Sequence, residues 1–311
     1  MSAPLGAHVT LPTPLSTASG CAGYGRELDR FTPLDRLGTV TTKTVMPHPR
    51  SGRPTPRMAE TPSGMLNSIG LQGCGIDRFV EEELPWLAER GARVLVSIAG
   101  ERTEEFAEAA ARLTGRPGVV GIEANISCPN VEDRGLVFAC DPDASHAAVK
   151  AVKAAADPAL PVYAKLTPDV TRITDNAAAC TDAGADGLSV INTLLGMAID
   201  TETMRPALAG VTGGLSGPAV RPVAVRCVFQ VYGAMLGGAV RPVPILGMGG
   251  IASGRDALEF VLAGASGIAV GTALFNDPSV PLRIHDELRA ALAERGFGAF
   301  GDAVGHAHRT S

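Results

Sequence analysis

Two lysines sit inside runs of residues that otherwise read as buried strands. The chain has only four lysines, Lys43, Lys150, Lys153 and Lys165, against 23 arginines, and Lys43 and Lys165 fall within TTKTV and VYAKL. Lysine is a compact point charge that can stabilise a developing anion. A strand-end lysine snorkelling to solvent is the plain alternative, and it explains one such residue better than two. Asparagine is equally sparse and equally placed. Of six, Asn67, Asn125, Asn130 and Asn192 lie at the end of a strand-like run or in an adjoining loop. An amide offers donor and acceptor together to an imide-like or pyrimidine-like ring, although asparagine is also an ordinary turn residue. In NISCPN, residues 125–130, Cys128 lies between two of these asparagines. An unperturbed thiol titrates near ~8.5 and can take up a proton in mildly alkaline conditions. Most cysteines are buried core thiols; this placement argues for a chemical one. GMGG at 247–250 and VGTA at 270–273 close two consecutive strand-like runs, where backbone N–H groups can hold a phosphate; close packing is the other reading of the glycines.

These groups need a scaffold that brings distant segments to one rim. Short apolar runs recur at 15–19, 38–46, 93–99, 119–126, 161–166, 186–192, 243–248 and 267–271. Helical spacing separates most of them, as in Ile76, Phe79, Val80, Leu84 and Leu87, or Val220, Val223, Cys227 and Val231. Asp141-Pro142 and Thr167-Pro168 look like helix N-caps, Gly184 and Gly264 like helix ends, and Pro85 like a kink or boundary. AGADGLSV at 183–190 and AGASGIAV at 263–270 repeat one helix-end, turn and strand register. Eight alternations predict an α/β fold, a (β/α)8 TIM barrel, as a single domain over residues 1–311; an open doubly wound sheet is the alternative. Residues 47–74 and 196–216 are then loop excursions over the C-terminal face. The strand ends carry Ser19-Gly20, Lys43-Thr44, Ser97, Asn125, Lys165, Asn192-Thr193, Gly249-Gly250 and Gly271-Thr272. A ring of hydrogen-bonding groups at the catalytic face of a barrel predicts a polar ligand across its mouth.

Composition narrows the partners. With Lys plus Arg 27 against Asp plus Glu 32, the net charge is −5, which supplies no electrostatic footprint for nucleic acid or an anionic membrane. Aromatic residues are 4%, too few for a base-stacking surface. No apolar run approaches the roughly 20 residues that span a bilayer, and Arg26 is the first Lys or Arg, so the expectation is a cytoplasmic protein without a signal peptide. Six cysteines, Cys21, Cys74, Cys128, Cys140, Cys180 and Cys227, lie far apart with no C-x-x-C pair; reduced core thiols, with one chemical exception, are expected.

ASGCAGYGRE at 18–27, ETPSGMLNSIGLQ at 60–72, NISCPNV at 125–131, KLTP at 165–168, INTLLGM at 191–197, TGGLSGPAVRPVA at 212–224, GMGGI at 247–251 and VGTA at 270–273 together resemble class 1 dihydroorotate dehydrogenase. The resemblance runs in order from about residue 15 to 280 and is closer to the type 1B catalytic subunit. It implies FMN as cofactor and oxidation of dihydroorotate to orotate in pyrimidine (UMP) biosynthesis. Cys128 would be the general base at C5, with hydride leaving C6 for flavin N5. Lys43, Asn67, Ser68, Ile69, Gly70, Leu71, Asn125, Asn130, Asn192 and Thr193 would hold the substrate. Ser19, Lys43, Thr44, Ser97, Asn125, Lys165, Ile191, Gly217, Gly249, Gly250, Gly271 and Thr272 would hold FMN. Electrons would pass to a separate FAD and 2Fe–2S subunit and then to NAD, in a homodimer or heterotetramer. This chain departs from the family at Ser97, commonly Asn, at Gly73-Cys74, and in NVEDRG at 130–135 after the catalytic cysteine. Three neighbouring readings stay open: a flavoenzyme for another dihydropyrimidine, a type 1A enzyme reoxidised by fumarate, and a flavin-free barrel acting through Lys165.

Overall fold

Residues 1–127 and 138–309 are described by the computed structural model. Leu15–Thr17 (β1), Val40–Thr41 (β2), Val94–Ile98 (β3), Val119–Ala124 (β4), Val162–Leu166 (β5), Gly187–Val190 (β6), Ile245–Met248 (β7) and Gly267–Val270 (β8) form one parallel sheet in the order β1-β8-β7-β6-β5-β4-β3-β2. Parallel neighbours require crossovers. Helices Thr103–Ala111, Pro142–Ala155, Ile173–Asp182, Arg221–Leu236 and Gly254–Ala263 supply the five from β3 to β8, and Val280–Glu294 follows β8. Between β1 and β2 two short 3-10 turns, Leu28–Arg30 and Leu34–Arg36, replace a helix.

The eight strand expectations are met, with the second much shortened. Around β2 the chain leaves regular ladder geometry because hydroxyls close the barrel there. Gly38 N donates to Leu15 O at 2.6 Å and Thr17 N to Thr39 O at 3.2 Å. Side chains complete the seam: Thr41 N donates to Thr17 Oγ1 at 2.9 Å and Thr39 N to Ser16 Oγ at 3.1 Å.

Helix boundaries follow local chemistry with one exception. Asp141 caps Pro142–Ala155, its carboxylate accepting from Asp143 N at 2.8 Å and Ala144 N at 3.3 Å. Pro85 marks a boundary, near the start of Leu84–Glu89, after a π-helical turn at Phe79–Glu83. Thr167-Pro168 starts no helix. Thr167 Oγ1 accepts from Asp169 N at 3.1 Å in a tight turn, and the helix begins at Ile173 instead. Asp169 is thereby turned toward Leu195, whose N–H donates to both carboxylate oxygens at 3.0 and 3.1 Å.

Two features close the ends of the barrel. At the N-terminal end the hairpin Ala3–Leu5 and Val9–Leu11, absent from the sequence expectations, inserts Leu5 and Leu11 beside Leu95, Tyr163, Leu246 and Met248 to fill the interior. At the other end the two excursions form one antiparallel sheet, Leu194–Gly196, Gly213–Ser216, Gly64–Asn67 and Met58–Thr61 in that order. The larger apolar core lies between strands and helices. One correction concerns the apolar runs: Pro218–Leu236 is long and apolar enough by length and composition to cross a bilayer. Val220, Ala224, Cys227, Val228, Val231 and Met235 form its buried stripe, and the helix packs on β6, β7 and the two helices beside it. It is a wall of the barrel.

Candidate active site

A cavity of about 490 Å³ opens at the C-terminal ends of the strands, beneath the antiparallel sheet. Ser19, Lys43, Thr44, Asn67, Ile69, Gly70, Leu71, Asn125, Lys165, Ile191, Asn192, Thr193, Gly217, Gly249, Gly250, Gly271 and Thr272 all line it. The fold therefore brings together residues spread over more than two hundred positions. Two expected residues do not line the cavity. Ser97 is fully buried under Thr44, Oγ to Oγ1 3.0 Å, and Ser68 is buried with its N–H on Arg57 O at 2.8 Å. Cys128 and Asn130 lie outside the described residues.

Hydrogen bonds fix the amide ring. Asn125 Nδ2 donates to Thr44 Oγ1 at 3.0 Å while its Oδ1 accepts from Ser127 Oγ at 3.1 Å. Asn192 Nδ2 donates to Ser127 O at 2.9 Å, and Asn67 Nδ2 to Gly214 O at 3.3 Å. Each side chain is held by its own protein and keeps further hydrogen-bonding capacity for a ligand. Gly73 and Arg50 exchange backbone bonds at 3.0 and 3.1 Å, and Cys74 Sγ lies 3.5 Å from the Tyr24 hydroxyl, so the Gly73-Cys74 pair is tied to the chain around it and does not line the cavity.

The floor is charged. Lys165, 3% exposed, donates to Ser19 Oγ at 2.9 Å, and its Nζ lies 3.7 Å from Glu123 Oε1. Glu123 in turn accepts from Ser189 Oγ at 2.8 Å. Lys43 approaches from the end of β2, where a Cβ on Gly20 would stand 3.8 Å from its Nζ. Cys21 lies in the same field and lines the cavity. Burial pushes its thiol up to about 11, against the opposing pull of Lys165 and Lys43. Of the five described cysteines only Cys180 and Cys227 are fully buried, fewer core thiols than the sequence suggests.

Backbone lines the side toward β7 and β8. Gly249 has φ +130° and Gly250 φ +77°. A Cβ on Gly250 would meet Gly217 O at 2.6 Å, and one on Gly249 would meet Ala224 Cβ at 2.7 Å. Among the described residues the amides of Gly249, Gly250, Gly271 and Thr272 donate to no carbonyl. The sequence reading missed Glu123, Ser189 and Cys21. The signal for Glu123 was present, an acidic residue inside the apolar run VVGIEA, the same anomaly that singled out the lysines.

A parallel eight-stranded barrel whose mouth gathers two ammonium groups, a ring of amides and unengaged backbone N–H groups is an enzyme scaffold with a site for an anionic organic ligand. The model of the family "Dihydroorotate dehydrogenase" matches residues 6–292, and the chain belongs to that family. Its relatives include the "Dihydroorotate dehydrogenase B (NAD(+)), catalytic subunit" of Geobacter sp. (strain M21), 50% identical over 96% of this chain and 95% of the relative. That of Geobacillus kaustophilus (strain HTA426) is 48% identical over 97% of this chain and 94% of the relative. Among solved structures, the DHODH of Eimeria tenella in complex with ferulenol superposes with a TM-score of 0.81 at 26% identity, covering 99% of this chain and 88% of that one.

Proposed function

We propose that this chain is the catalytic subunit of an NAD-linked dihydroorotate dehydrogenase, a single catalytic domain that binds FMN and dihydroorotate together in the barrel mouth. One observation carries the reading: Lys43, Lys165, Asn67, Asn125 and Asn192 line the same cavity as Gly249, Gly250, Gly271 and Thr272. The residues fit FMN. Free amides and glycines that leave no room for a Cβ make a cradle for its phosphate end, and Lys165 and Lys43 place positive charge beside an acceptor that becomes anionic. Bound FMN supplies the two-electron acceptor.

The remaining work falls to the chain. Asn67, Asn125, Asn192 and Thr193 hold the substrate ring and set its register, helped by the backbone of residues 69–71, where Gly70 and Leu71 both adopt positive φ. Ser97 acts from beneath, through Thr44, and Ser68 supports the 69–71 backbone. Asn130 adds another amide to the substrate, and Cys128 removes the proton from C5. The antiparallel sheet roofs the cavity with Met58, Met65 and Leu215, apolar surface that excludes water from the transfer. Electrons leave through a partner subunit carrying FAD and an iron–sulfur cluster, in a cytoplasmic homodimer or heterotetramer.

The purified protein is expected to be yellow, to bleach on anaerobic addition of dihydroorotate, and to be reoxidised by NAD only when the partner subunit is present. A colourless protein that cannot be reconstituted with FMN defeats the proposal. Rapid reoxidation by fumarate without a partner replaces the electron acceptor but keeps the site.

A further inference from the structure

Glu123 has no part in the chemistry just described, yet it is a charged group at the centre of the barrel. It stands on β4 with 0% exposure. Oε2 accepts from Ser189 Oγ at 2.8 Å. Oε1 is buried and makes no hydrogen bond, and the Lys165 ammonium lies 3.7 Å from it. A carboxylate taken out of water is costly unless it is paired and hydrogen-bonded, and an ion pair in a protein interior is commonly no more stable than apolar residues of the same volume. Fold stability therefore gives no reason to bury this pair. Position does. Lysine carries its charge on a flexible four-carbon stem, and a single hydroxyl, that of Ser19, holds one of its three N–H donors. Glu123 supplies a second, charged restraint, itself fixed by Ser189 on the neighbouring strand β6.

We propose that Glu123 is a positioning residue for Lys165: its buried carboxylate, anchored by Ser189, holds the ammonium against Ser19 at the cavity floor and offsets part of its charge. The positive field reaching a bound ligand is then set by a pair rather than by a bare lysine. The inference deepens the proposed flavin site, and only the second of its two tests depends on that site.

The first test is a double-mutant cycle of Glu123→Gln, Lys165→Met and the double variant, followed by thermal unfolding of the protein as purified, with FMN content measured alongside. Gln keeps the shape and an acceptor for Ser189 but removes the charge. Lys165→Met, which strands a buried carboxylate, is expected to lower the unfolding midpoint more than the double variant does. Additive losses overturn the pairing. The second test is the midpoint potential of the bound flavin. Glu123→Gln is expected to raise it, because a less compensated ammonium favours the reduced, anionic form, with KM for dihydroorotate little changed. Glu123→Asp, which keeps the charge, is expected to return the potential toward wild type. An unchanged potential in Glu123→Gln overturns the positioning role even where the unfolding cycle shows coupling. A protein that takes up no flavin defeats the flavin site, and the unfolding cycle still decides the pair.

Discussion

Lys165 on β5 and Ser19, just beyond β1, meet across the barrel, Nζ to Oγ 2.9 Å, although they stand 146 positions apart in the chain. In an eight-stranded barrel the first and fifth strands stand opposite each other, so this bond crosses the interior rather than running along the wall. It places an ammonium under the middle of the mouth, where a ligand held by any strand end must feel it.

Cys128→Ala removes the proposed base and leaves the cradle of glycine amides untouched. FMN content is expected to match wild type, while stopped-flow reduction by dihydroorotate slows by roughly 10²- to 10⁴-fold. Unaltered single-turnover reduction would remove Cys128 from the mechanism.

Gly250→Ala puts a Cβ 2.6 Å from Gly217 O at a residue with φ +77°. Strain of about 1–3 kcal/mol is expected, concentrated at the phosphate end of the site. FMN affinity, read by fluorescence on reconstitution, should fall by about tenfold, since about 1.4 kcal/mol is a factor of ten. Affinity equal to wild type would place the phosphate elsewhere.

Burial raises the Cys21 thiol to about 11 and the Cys180 thiol to about 12, from an ordinary value of 9.0. Both are neutral when protonated, so the folded chain holds its thiol protons to higher pH than the unfolded one. Their stabilising effect is complete below pH 9.0 and is lost as pH rises from 9.0 toward 11 and 12. Urea unfolding between pH 8 and pH 11 is expected to show stability falling with pH, by at most about 1.4 kcal/mol per pH unit for each thiol. Cys21→Ala should give a shallower fall; an identical slope would mean that Cys21 ionises as freely in the folded chain.

Asp169 ties the turn after β5 to the roof through the Leu195 N–H, 3.0 and 3.1 Å from its two oxygens. The carboxylate is exposed, so Asp169→Ala should cost only about 1 kcal/mol in denaturant unfolding. The roof strand Leu194–Gly196 loses an anchor, and KM for dihydroorotate is expected to rise more than kcat falls. A fall in kcat alone would show that the roof is set without Asp169.

The architecture was legible in the amino-acid sequence, and so were most of the residues that line the cavity. Eight apolar runs separated by helical spacing admit few topologies, because parallel strands need right-handed crossovers, and polar residues at strand ends are conspicuous against apolar runs. Lys43, Lys165, Asn125 and Asn192 were legible for that reason. Folding sets which of these groups face the cavity and which face one another. Ser97 lies at a strand end like the rest, yet its hydroxyl is spent on Thr44, because the seam beside β2 is built from hydroxyls and Ser97 belongs to it. The roof sheet pairs residues 64–67 with 213–216, far apart in the chain, and no local period announces such pairing. Lys165 and Glu123 are 42 positions apart in the chain and pair because strands β4 and β5 lie side by side. Residue type and spacing can nominate a charged group; only packing shows what stands beside it, because the distance that fixes an ion pair's strength belongs to the folded barrel.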